Sequence, residues 1–114
     1  LFIDSDQNHA TGWGGYDFAV NIKVVDDKKT TLSRWQQDGP NPGWTDAAQV
    51  DCRYAGNALE IAVPRQLLGA GGDRLVFDFH WCDNPENLTD PISLCTSGDS
   101  APNRKFNYRC IWKK

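Results

Sequence analysis

The chain has 114 residues, 39% of them hydrophobic and 24% charged, the make-up of one folded domain with room for a single core and not for two. Its net charge of −3, from 15 acidic against 12 basic residues, argues against a nucleic-acid module or an anionic membrane as partner, since both call for a basic surface. Its apolar runs are too short to span a bilayer as a helix.

Taken in chain order, the residues alternate with period two almost throughout. This predicts an all-β fold, a single antiparallel β-sandwich of jelly-roll type with about seven short strands. Residues 1–4 make the first strand, and the chain opens on Leu1 with no methionine anywhere, as expected of a processed piece of a longer chain. The loop that follows carries Asp4, Asp6 and Asn8, alternate oxygen side chains able to curl around a hard cation. It is not an EF-hand, because His9 stands where that loop needs Gly and Gly15 where it needs Glu. Asp17, on the polar phase of the next strand, completes an expected calcium set of Asp4, Asp6, Asn8 and Asp17 with a structural role. An Asx-rich turn that satisfies its own backbone is the competing reading.

Tyr16, Phe18, Val20 and Ile22 mark the second strand, and residues 30–36 a weaker third. Val50, Cys52 and Tyr54 set the inward phase of a fourth, and Leu59, Ile61 and Val63 that of a fifth. One helical turn follows, with Pro64 at its start and Gly69 at its end. Leu75, Phe77, Phe79 and Trp81 mark the sixth strand, and Phe106, Tyr108, Cys110 and Trp112 the seventh. The expected core is therefore Phe18, Val20, Leu59, Ile61, Val63, Phe77 and Phe79, with Trp81 and Trp112 beside it. His9 falls in a loop and His80 on a polar phase, so both read as surface residues.

Four cysteines without a CxxC pair exclude a zinc ribbon and a thioredoxin-type motif, and their even number fits an oxidising compartment. Three pairings are open. Strand phase favours Cys52 with Cys110 in the core, and Cys82 with Cys95 closing a polar loop; buried free thiols are the alternative. Trp13 and Trp44 lie in glycine-rich stretches where no strand phase hides them. Each offers a flat face for a sugar ring, with Asp46, Arg53 and Asn84 as hydroxyl partners, although an aromatic folded over an open end of the sandwich reads equally well.

Catalytic signatures are missing: there is no Gly-x-Ser-x-Gly elbow, no recognisable Cys–His spacing and no phosphate-cradling loop. The expectation is a protein that is not an enzyme. The triplet Asn87-Leu88-Thr89 has the form of a glycosylation acceptor, and chance accounts for it more simply.

Four blocks carry a resemblance: Leu1-Phe2-Ile3-Asp4-Ser5-Asp6 with Thr11-Gly12-Trp13-Gly14-Gly15-Tyr16-Asp17-Phe18; Gly56-Asn57-Ala58-Leu59-Glu60-Ile61-Ala62-Val63-Pro64-Arg65; Phe77-Asp78-Phe79-His80-Trp81-Cys82-Asp83-Asn84; and Gly98-Asp99-Ser100-Ala101-Pro102 with Arg104-Lys105-Phe106-Asn107-Tyr108. In this order they resemble family 9 carbohydrate-binding modules and DOMON-like sandwich domains. The resemblance implies a secreted, non-catalytic sugar binder with structural calcium, a glycan as partner, Asp4, Asp6, Asn8 and Asp17 as the metal loop, and Trp13 or Trp44 as the sugar platform. Haem-binding relatives of cytochrome type use a Met/His axial pair, so a chain without methionine is expected to carry no haem. Relatives usually have further strands before the Phe-Ile-Asp block, which leaves a sheet edge open to self-association. An assembly protein joined through such edges is the alternative function.

Overall fold

The computed structural model describes residues 1–85, 87–103 and 106–114, without the side chain of Cys95. Its strands follow the alternation: β1 Phe2–Asp4, β2 Phe18–Val24, β3 Lys29–Gln36, β4 Gly43–Ala55, β5 Ala58–Ala62, β6 Arg74–Asp83, β7 Asp99–Ala101 and β8 Tyr108–Lys113. A 3-10 turn spans Arg65–Leu68, with Gly69 closing it in the left-handed region, and a short helix α1 covers Ser93–Thr96. The antiparallel all-β class is as expected. The two-sheet sandwich is corrected: one sheet runs β5-β4-β3-β2-β1-β6, with β7 and β8 both paired to the far side of β6, and it curls into a half-barrel.

One curled sheet has two faces to cover, and this chain builds a core on each. Ile3, Phe18, Val20, Leu32, Val50 and Leu68 form the first, with Ile61, Val63, Phe77 and Phe79 packed against it. Phe2, Trp13, Tyr16, Ala19 and Leu94 form the second, with Trp35 and Trp44 beside them. The alternation of β1 and β2 feeds both, because neighbouring residues point to opposite faces. Of the expected core, Phe18 and Val20 are fully buried, while Leu59, Ile61, Val63, Phe77 and Phe79 are half-buried.

This second core explains the corrections. His80 is 1% exposed, not a surface residue, because the polar phase of β6 is covered as well. Trp13 is 3% exposed, while Trp81 and Trp112, expected inside, are exposed on β6 and β8. Trp44 is not in a loop: β4 already begins at Gly43, so Trp44 pairs directly with Trp35 across β3, their rings 5.3 Å apart.

The Cys52–Cys110 bridge is likewise not formed. Both thiols are free, and β3, β2, β1 and β6 stand between their strands in the sheet. The expected Cys82–Cys95 bridge depends on a side chain outside the described residues.

Candidate cation site and neighbouring grooves

β1 ends by delivering Asp4 to the base of a loop, with no accessible surface left on it. Gln7, at φ 55°, turns the chain back over Asp4, and its amide donates to the carbonyls of Ser5 and Val76, both at 3.0 Å. Asp17 arrives from the other side just ahead of β2, whose entry is fixed by the Asp17 amide bonding to the Ile3 carbonyl at 2.8 Å. One carboxylate oxygen from each of Asp4, Asp6 and Asp17 then lies within 4.8 Å of the others.

Most of the remaining oxygens are held by the loop. Asp17 Oδ2 accepts from the backbone and hydroxyl of Ser5, both at 2.8 Å. The Asn8 amide reaches Asp6 Oδ1 at 2.9 Å and Asp4 Oδ1 at 3.2 Å, and the Thr11 hydroxyl lies 2.9 Å from Asp6 Oδ2. Asn8, the fourth expected ligand, turns its own side-chain oxygen to the Ala10 amide at 3.0 Å, an Asx turn. As a carboxylate, Asp4 has its Oδ2 buried with no donor against it among the described residues.

A buried, unsatisfied carboxylate oxygen is costly unless something positive sits against it. Burial, then hydrogen bonding with Asp6 and repulsion from Asp17, pushes the Asp4 carboxyl up to about 6. Asp6 is held low instead: against its desolvation, the Thr11 hydroxyl and the Asn8 amide favour its charged form. Three hard carboxylate ligands that can each bring one oxygen together, with a buried oxygen on Asp4 that accepts no hydrogen bond among the described residues, fit a calcium-sized cation, which would offset the repulsion among them. Beside the cluster, β6 supplies Asp78, whose carboxylate takes a bidentate pair from Arg109 Nε and Nη2 at 2.7 and 2.9 Å and is held below the usual range by it. The sequence pattern gave no hint of this pair, because Asp78 and Arg109 meet only through the β6–β8 register.

The turn that carries Trp13 is a short one. Gly14 and Gly15 both have positive φ, 61° and 105°, and Trp13 and Tyr16 bridge across them. The turn tips the Trp13 ring onto Phe2 at 5.3 Å and Trp44 at 5.6 Å, so the indole lies inside an aromatic cluster and presents no open face. Nε1 of Trp13, Nε1 of Trp44 and Nε2 of His80 are buried without hydrogen-bond partners among the described residues. The other expected sugar contacts are scattered. Asp46 pairs with Lys23 at 2.8 Å, Arg53 lies opposite Glu60 on the outer strands, and Asn84 stands at the end of β6.

Two grooves flank these elements. The larger, about 760 Å³, is bordered by Trp81, Asp83, Asn84, Asp99, Ser100 and Asn21. Of the expected sugar residues it contains only Asn84. The smaller, about 470 Å³, has Asp6 and Asp17 on one wall and Arg34, Trp35, Gln37 and Gln66 among its other residues. No helix among the described residues is long and apolar enough to cross a membrane.

Compared with known proteins, the chain matches no family model, no curated protein and no solved structure. The resemblance to family 9 carbohydrate-binding modules therefore rests on the residues quoted for it.

Proposed function

We propose that this domain is a secreted, non-catalytic carbohydrate-binding module whose Asp4–Asp17 loop is ordered by calcium. The observation that carries the reading is a buried Asp4 oxygen that accepts no hydrogen bond among the described residues, on a carboxylate grouped with those of Asp6 and Asp17. A sugar surface is supported by the larger groove, where Trp81, 39% exposed, offers an aromatic face beside the amides of Asn21 and Asn84 and the carboxylates of Asp83 and Asp99. The platform thus moves from Trp13 and Trp44 to Trp81.

Calcium that binds only the folded state raises its stability by about 2.7 kcal/mol at one hundred times its dissociation constant. Melting curves in calcium and in chelator test this half. A glycan array run with the parent and with Trp81→Ala tests the other: the variant keeps its melting temperature and loses the glycans held in the Trp81 groove. A melting temperature indifferent to calcium removes the cation, and an array without any bound glycan removes the sugar.

An assembly protein is the second reading, favoured by Tyr108, Ile111 and Trp112, which expose 49%, 63% and 40% of their surface on the edge strand β8. Light scattering across a concentration series separates the two, since only this reading gives a mass that grows.

A further inference from the structure

The acidic cluster does not face bulk water alone. Asp6 and Asp17 form one wall of the smaller groove, of about 470 Å³, and Arg34, Gln37 and Gln66 line it too. That volume suits a single sugar ring. Asp4 makes the buried floor of the cluster, while Asp6 is exposed. A cation held between them is therefore buried on one side and open on the other.

The coordination count decides what the open side can do. Calcium takes six to eight oxygens, and the cluster offers one carboxylate oxygen from each of three residues. Roughly three to five positions remain for backbone, water or ligand. Charge then chooses the ligand. The cation with three carboxylates carries one net negative charge, and Arg34, which has no carboxylate partner among the described residues and rests its guanidinium 5.8 Å from the centre of the Phe18 ring, brings the groove to neutrality. A neutral ligand keeps that balance, whereas a carboxylate-bearing one overturns it.

We infer that the cation at Asp4, Asp6 and Asp17 directly chelates two adjacent hydroxyls of a neutral saccharide lying in this groove, with Arg34 and Gln66 bonding the hydroxyls beyond. This rests on the carbohydrate-binding reading and gives the ion a second role besides ordering the loop. Vicinal hydroxyls present two oxygens to one ion at little conformational cost. The guanidinium and the amide supply donors within the same groove lining.

Terbium substituted for calcium in the full chain reports the ion's own shell, because its luminescence lifetimes in light and heavy water count the waters bound to it. A neutral sugar taken from the array, methyl α-mannoside serving as first probe, is expected to displace about two waters, one for each chelating oxygen. The double variant Arg34→Ala/Gln66→Ala is expected to keep the calcium-dependent rise in melting temperature while losing this displacement and at least tenfold in sugar affinity. An unchanged water count with glycans still bound by the Trp81 groove overturns the inference and leaves the proposed function standing. Full affinity in chelator does the same. Displacement by glucuronate but not by neutral sugars overturns the charge argument and the inference with it. If calcium raises the melting temperature and no glycan binds at all, both this inference and the carbohydrate reading fall.

Discussion

Truncating Trp13 to alanine distinguishes a core indole from a ligand platform. The ring is 3% exposed and lies against Phe2, Trp44 and Trp35, with centroids 5.3, 5.6 and 6.3 Å away. An indole in this position withdraws roughly 200 Å² from water, about 5 kcal/mol at about 25 cal/mol per Å². Partial collapse of the neighbours recovers some of it, so the expected loss is about 3–5 kcal/mol. At about 4 °C per kcal/mol for a domain of this size, the melting temperature should fall by roughly 12–20 °C. Trp13→Phe should be milder than half of that, since it also removes a buried N–H without a partner among the described residues, whose burial costs about 1–3 kcal/mol. Calorimetry and urea unfolding of both variants, with Trp81→Ala as the exposed control, make the measurement. A Trp13→Ala protein melting within about 4 °C of the parent would refute the two-core description and restore Trp13 to the surface.

Three further outcomes follow from particular contacts. Gly12→Ala should destabilise by at least about 2 kcal/mol, since at φ +69° its Cβ would lie 2.2 Å from the Tyr16 carbonyl oxygen, the acceptor of the Trp13 amide; urea titration gives the value. Arg109→Leu should lower the melting temperature at neutral pH. Asp78 has its folded pKa lowered, so its contribution is present above the ordinary carboxylate range and is lost as pH falls through the folded value; the gap between variant and parent should close in acid and persist at pH 7. Alkylation of unfolded, unreduced protein followed by mass spectrometry should find Cys52 and Cys110 both modified, and a Cys52–Cys110 crosslink would contradict the sheet order.

The period-two pattern was enough to locate most strands, because burial of one phase leaves its mark on every second residue. It could not reveal how many sheets there are. A strand covered on both faces still shows alternation when one face holds aliphatic residues and the other small or polar ones. In β6, Phe77 and Phe79 alternate with Asp78 and His80, both buried. The same ambiguity inverted the tryptophans: a loop placement said nothing about where the Gly14-Gly15 turn would aim Trp13, and a correct phase for Trp81 and Trp112 said nothing about distance from the sheet's edge. The acidic cluster was legible because its spacing is local. Arg34 entered the site unannounced, since it is brought beside Asp17 only by the β2–β3 pairing.

Three consecutive residues of β1 end in three different places: Phe2 in one core, Ile3 in the other and Asp4 in the acidic cluster. A strand so short cannot detach one of these anchors and keep the rest, so the two cores should melt as a single cooperative unit rather than as separable foldons. The cation proposed at Asp4 should then oppose the opening of the inner strands. In native-state amide exchange its signature is a uniform increase in protection across β1, β2 and β6, on both faces at once, with the outer strands β5, β7 and β8 fraying independently of it.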